Sequence, residues 1–291
     1  MREKLSFTGV LFFLMLHHST VAQTSLSFSD FFDQFYNNYY LLNPANTDTS
    51  YQIAAKVANK AQTGLFQGVN KIYMDVDLRV SPKKNVIHFA GIQIINNREG
   101  DYISKNRLLG RYSLRIKTSE RSSLSAGLAL GFVNYAFNTS QAGVGGSAWV
   151  PDGNAGLWYL RKKLSLGFSM QQMFSQRIRP VDQTFILDNY FNFTAKYSQP
   201  INYFLNINSH FYSKFQKGQP AYFVLASLFE IQEKFDAGVS YSYLRGLSGV
   251  VGIKQLSMGK SRFSFYFSYF LGTGNVMVSD NAFELLLSYH R

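Results

Sequence analysis

The chain has 291 residues, no cysteine and a formal net charge of +12, with 27 Phe, 19 Tyr and only 16% charged residues. Such a composition excludes a disulfide scaffold and a disordered, charge-solvated chain. The bases are scattered without one dense run, which argues against nucleic-acid binding and favours contact with an anionic membrane surface.

In chain order, Arg2 and Lys4 precede an apolar run from Leu5 to Leu16, and small residues at Thr20 and Ala22 stand before Gln23. This is the layout of a secretory signal peptide over residues 1–22. A mature leader, 23–49, comes next. From residue 50 to 291 the dominant pattern is alternation. In KIYMDVDLRV, Ile72, Met74, Val76, Leu78 and Val80 share one parity, and Tyr73, Asp75, Asp77 and Arg79 the other. This period of two is that of a strand with one apolar and one polar face. SSLSAGLALGFVNY, KLSLGFSMQQ, FDAGVSYSY, RFSFYFSYFL and AFELLLSYH repeat it.

The alternation predicts about 14 strands, over 50–60, 71–80, 86–96, 105–117, 122–134, 154–161, 164–172, 188–197, 202–213, 219–231, 235–243, 247–256, 262–271 and 282–290. Parity is mixed in 86–96, 219–231 and 247–256, as β-bulges would cause. Tight polar turns such as SPKKN, TSERS, RKK and QEK alternate with longer connections at 97–104, 135–153, 173–187 and 272–281. No segment after the leader's apolar run has the roughly 18 apolar residues of a spanning helix.

Strand length, alternating turn lengths and aromatic strand ends predict an all-β fold, a transmembrane antiparallel up-and-down barrel. A secreted β-sandwich also alternates, but its outward faces should carry Lys, Glu and Thr. Here the second face is mostly Ser, Gly, Asn and Ala, as suits a crowded lumen.

Leu42, Asn43, Pro44 and Ala45, directly before the first strand, resemble the "LNPA" signature of the PorP/SprF family of Bacteroidetes outer-membrane proteins. SLSAGLALGFVNYAFN, WVPDGNAGLWYLRKKLSLGFSM, FDAGVSYSYLRGLSGVVGIKQ and AFELLLSY resemble further family segments in the same order. The chain departs from the family after the first strand, where Lys60, Gln62 and Thr63 stand without the usual Trp. The resemblance implies an outer-membrane protein of the type IX secretion and gliding machinery. Its implied partners are a secreted adhesin with a type IX C-terminal domain and other components of that machinery, with membrane lipid and lipopolysaccharide around the barrel.

Within a barrel, Asp75, Asp77 and Arg79 face the lumen, as do Arg107, Arg111, Arg115 and Lys117, because charge on the lipid face at mid-depth costs about 2–4 kcal/mol. They are expected to form one acid–base ladder bracing the wall. Trp149, Val150, Pro151 and Asp152 are expected in a long exterior loop, where they either dock a partner or fold over the mouth and bury Trp149. His88 and His210 stand apart in mid-strand and no Cys is present, so no catalytic residue, cofactor site or metal site is expected. Two functions remain: a non-enzymatic docking barrel for secretion, or a passive channel biased towards anions by Arg111 and Arg115.

Overall fold

The computed structural model describes residues 31–63, 68–82, 85–138, 145–180, 184–243, 245–272 and 281–291; the expected signal peptide lies outside them. The strands are β1 (Ile53–Gln62), β2 (Val69–Pro82), β3 (Val86–Glu99), β4 (Ile103–Ser119), β5 (Ser122–Phe137), β6 (Gly146–Arg161), β7 (Leu164–Gln171), β8 (Gln176–Ile178), β9 (Phe185–Leu187), β10 (Tyr190–Pro200), β11 (Leu205–Gln216), β12 (Tyr222–Ile231), β13 (Phe235–Ser242), β14 (Gly246–Met258), β15 (Ser261–Gly272) and β16 (Ala282–His290). Fourteen of them close into one barrel in sequence order, β16 returning to β1, while β8 and β9 pair only with each other.

Alternation produces this wall. In β5 Ser123, Ser125, Ala129 and Val133 are buried, while Leu124, Leu128, Leu130 and Phe132 stand outward, between 41% and 58% exposed. Apolar side chains outside and hydroxyls inside invert a soluble protein and match a wall wetted by hydrocarbon. The strands are tilted. Residues paired in register climb from Ile116 at the short-turn end of β4, through Leu124, Tyr159, Leu166, Ala195, Phe211, Leu225 and Tyr241, to Leu247 and Leu271 at the opposite end of β14 and β15.

Three expected connections are different in the structure. The segment 146–153 is strand: Trp149, Val150, Pro151 and Asp152 pair in register with Asn134, Val133, Phe132 and Gly131 of β5. Its Gly, Ser and Pro content suggests a loop, yet Ser147, Pro151 and Gly153 take the outward parity of Trp149 in a strand paired residue by residue with β5. Trp149 is not buried in the mouth; it is 68% exposed on the outer face. The expected long connection 97–104 is a turn of three residues between β3 and β4, with Gly100 in the left-handed region (φ 69°). The connection 173–187 carries the β8–β9 hairpin, whose Ile178 and Leu187 pack on Val133 and Tyr135 inside the long-connection end. Of the mixed-parity segments, 247–256 contains a register shift between Ile253 and Leu256, where Gln255 has φ 53°.

The described part of the expected leader enters the barrel. Residues 31–49 lie inside it, with two short 3-10 turns at Phe35–Asn37 and Tyr39–Leu41. Its aromatic residues fill the lumen: Phe31 stacks on Tyr212 at 5.0 Å between ring centres, Phe35 lies 5.6 Å from Tyr212, and Tyr39 lies 5.1 Å from Trp158. The small inward residues of the wall make room for it. A Cβ on Gly127 would stand 2.4 Å from the Pro44 carbonyl, and one on Gly156 2.0 Å from Asn43 Oδ1.

Candidate functional site

The site is the lumenal plug and the wall residues that hold it. At the long-connection end, Lys60 Nζ on β1 lies 2.7 Å from Asp33 Oδ2. Glu284, its register partner on β16, accepts the backbone N–H groups of Asp33 (2.7 Å) and Gln34 (3.3 Å). All three charged side chains are at most 2% exposed, so the plug's first residues are tied to the seam where the barrel closes.

Midway, Tyr40 is surrounded by charge. The Arg111 guanidinium lies 4.2 Å from its ring centre and Lys56 Nζ 4.7 Å, cation–π distances in a desolvated setting. Lys56 also donates to the Asn37 carbonyl at 2.8 Å. Arg111 pairs with Asp77, although β3 stands between their strands. Register explains the reach: Asp77 is opposite Gly91, and Gly91 is opposite Arg111, so no side chain intervenes. A Cβ there would lie 3.1 Å from the Asp77 carboxylate and 3.4 Å from the guanidinium. Asp75 accepts from the Tyr73 hydroxyl at 2.5 Å.

Leu42, Asn43, Pro44 and Ala45 are the tightest part of the plug. The Leu42 carbonyl accepts from Ser169 Oγ (2.5 Å), Gln171 Nε2 (2.7 Å) and Asn192 Nδ2 (3.3 Å). Asn43 Nδ2 donates to the carbonyls of Leu157 (2.9 Å) and Phe168 (3.1 Å), a facing pair on β6 and β7, and its Oδ1 accepts from the Ala45 N–H at 2.9 Å. Leaving the lumen, Thr47 O accepts from Arg115 Nη1 (3.2 Å) and Thr49 O from Arg79 Nη1 (2.9 Å), at the short-turn ends of β4 and β2. The plug therefore runs down the lumen and turns into β1 at the short-turn end.

The expected single ladder is divided. Asp77 and Arg111 pair, but Arg107 turns the other way, its Nε 2.6 Å from Asp152 Oδ2 and its Nη2 donating to Asn154 Oδ1 at 2.6 Å. Arg115 braces Thr47, Arg79 is half-buried, and Lys117 is exposed near the short-turn end of β4. Asp152, expected in a loop, is the buried partner of Arg107, while Trp149 and Pro151 face outward and Val150 packs beside the β8–β9 hairpin. Sequence reasoning gave no site role to Asp33, Glu284 or Lys60, the last seen only as a departure from the family, nor to Tyr39, whose hydroxyl meets His210 Nδ1 at 2.6 Å. The aromatic density of FFDQFYNNYY was the available signal, because such a run is costly to leave in water.

Residues 27–289 match the profile of the family described as type IX secretion system membrane protein PorP/SprF. No curated protein matches the sequence. Among solved structures, the CymD monoaromatic hydrocarbon channel aligns with a TM-score of 0.56 at 13% identity, over 86% of this chain and 91% of that one. The Ralstonia pickettii toluene transporter TbuX aligns at 0.54 and 11%, over 86% and 92%. A Pseudomonas aeruginosa FadL homologue aligns at 0.52 and 10%, over 82% and 90%. At these identities the likeness is one of fold. By its barrel and by a match along nearly its whole length, the chain is an outer-membrane protein and belongs to the type IX secretion system PorP/SprF family.

Proposed function

We propose that this protein is a non-enzymatic, closed barrel that assists export or surface anchoring of a cognate secreted adhesin, with the connections at its long-connection end as the docking surface. The observation that carries this reading is the plug: residues 31–49 fill the lumen with buried aromatic rings tied to the wall along their length. A lumen occupied by its own chain suits a rigid holder better than a pore. In this reading Asp75, Asp77, Arg107, Arg111 and Arg115 are structural, holding plug and wall together. Trp149, exposed on the outer face of β6, is a contact that a partner can bury. The adhesin's type IX C-terminal domain, the other secretion components and cleavage after Ala22 belong to the same proposal.

A passive channel is the second reading, favoured by likeness in fold to structures described as a monoaromatic hydrocarbon channel and a toluene transporter. It requires the plug to leave, and the bases that would bias it towards anions are engaged, Arg111 with Asp77 and Arg115 with Thr47. Deleting the gene separates the two. Loss of one adhesin from the cell surface, with the purified barrel silent in planar bilayers, supports docking. Intact display of every secreted protein, with altered solute uptake, overturns it.

A further inference from the structure

The barrel wall is not level. Strands β2 to β6 have 14 to 17 residues, whereas β7 and β13 have 8 and β16 has 9. On the outer face of the tall side, Met74, Ile94, Leu108 and Phe132 lie in one register row and are apolar. The next outward row towards the long connections is Ile72, Asn96, Asn106 and Asn134, and beyond it come Asn70, Arg98 and Ser104. On β4 the apolar stretch from Ile116 to Leu108 rises about 20 Å at roughly 3.3 Å per residue along a tilted strand, so Asn106 stands near the upper margin of a hydrocarbon band about 25 Å tall.

At that level a cavity of about 630 Å³ opens on the outer face, lined by Asn70, Asn96, Arg98, Asp101, Ser104 and Asn138 among others. Its volume falls in the range of small-molecule sites, and half its lining is polar chemistry on a surface otherwise built for lipid. Side-chain amides are already set in place: Asn59 Nδ2 donates to Asn70 Oδ1 at 2.8 Å, and Asn96 Nδ2 to Asn106 Oδ1. Each amide keeps further donor and acceptor capacity. Arg98 is exposed and makes no ion pair among the described residues.

We infer that this cavity seats the phosphorylated sugar headgroup of an outer-leaflet glycolipid. Long connections face the cell exterior in outer-membrane barrels, which puts the cavity in the headgroup layer of the outer leaflet. Arg98 meets the phosphate; the Asn70 and Asn96 amides, the Ser104 hydroxyl and the Asp101 carboxylate meet sugar hydroxyls; the acyl chains lie on Ile72, Ile94 and Leu108. Insertion by itself brings lipid headgroups to the cavity, and an exposed guanidinium beside ordered amides suits a phosphorylated sugar there.

The test uses the full-length protein in detergent, titrated with a diphosphorylated lipid A and with the same lipid dephosphorylated, read by native mass spectrometry and thermal shift. Wild type should retain the phosphorylated lipid and prefer it over the dephosphorylated one. Arg98→Gln should weaken that binding about tenfold, the scale of one lost charge-assisted contact, and Ser104→Leu should weaken it by occupying the cavity. Arg121→Gln, at the opposite end of the barrel, should leave it unchanged. Equal retention of both lipids, or an Arg98→Gln variant that binds as wild type does, overturns the inference. So does crosslinking from Ser104→Cys in native membranes that captures a secretion component and no glycolipid.

Discussion

Asn43→Ala isolates what holds the plug. The side chain makes three hydrogen bonds, two of them to carbonyls of neighbouring strands, and its Oδ1 occupies the space left by Gly156. At about 0.5–1.5 kcal/mol each, the loss of all three should favour plug opening by about 1.5–4.5 kcal/mol, a rise of roughly 12- to 1,600-fold in the open population. The native chain has no cysteine, so a single reporter thiol is unambiguous. Asn38 suits it, being 3% exposed with neither amide atom hydrogen-bonded among the described residues. When opening is fast and labelling slow, the rate at which Asn38→Cys reacts with a water-soluble maleimide follows the open population. Adding Asn43→Ala should raise that rate at least about tenfold without changing the heat-modifiability of the barrel. A change below twofold would show that Asn43 does not hold the plug and would refute the reasoning.

Asp77→Asn leaves Arg111 buried without its carboxylate and should lower barrel stability by about 3–5 kcal/mol, while Asp77→Asn with Arg111→Gln should recover most of the loss; thermal unfolding in detergent measures both. Gly127→Ala puts a methyl group 2.4 Å from the Pro44 carbonyl and should shift the plug at a cost of about 1–3 kcal/mol, seen as conductance steps absent from wild type. Gly110→Ala, whose Cβ finds its nearest neighbour at 3.8 Å, should stay silent in the same bilayer assay. On the lipid face, Val239→Arg should cost about 2–4 kcal/mol of folding free energy in vesicles, whereas Tyr203→Arg, in the turn between β10 and β11 and 97% exposed, should be close to neutral.

Alternation made the wall legible. Each of the 14 expected strands corresponds to a strand of the barrel, because hydrocarbon outside and a polar interior impose period two on every wall residue. Strand ends were less legible. Residues 146–153 look like a loop because Gly, Ser and Pro are turn residues and only the pairing with β5 makes them a strand, and Asp152 reads as a surface acid until Arg107 is placed beside it. The inward direction of Asp75, Asp77, Arg107, Arg111 and Arg115 follows from parity alone. Their partners do not: the Asp77–Arg111 pair depends on the β2–β3–β4 register that puts Gly91 between them, and local sequence does not encode register.

The sequence by itself determined the cylinder, its lipid-facing parity and its family, since these rest on a pattern repeated at every strand and on motifs spread along the chain. Only the tertiary structure decided that the interior is filled by a segment of the same chain. Residues 31–49 contact strands as distant as β7 and β16, and whether an aromatic segment stays outside or enters depends on the space that Gly127 and Gly156 leave together, which no single stretch of sequence records.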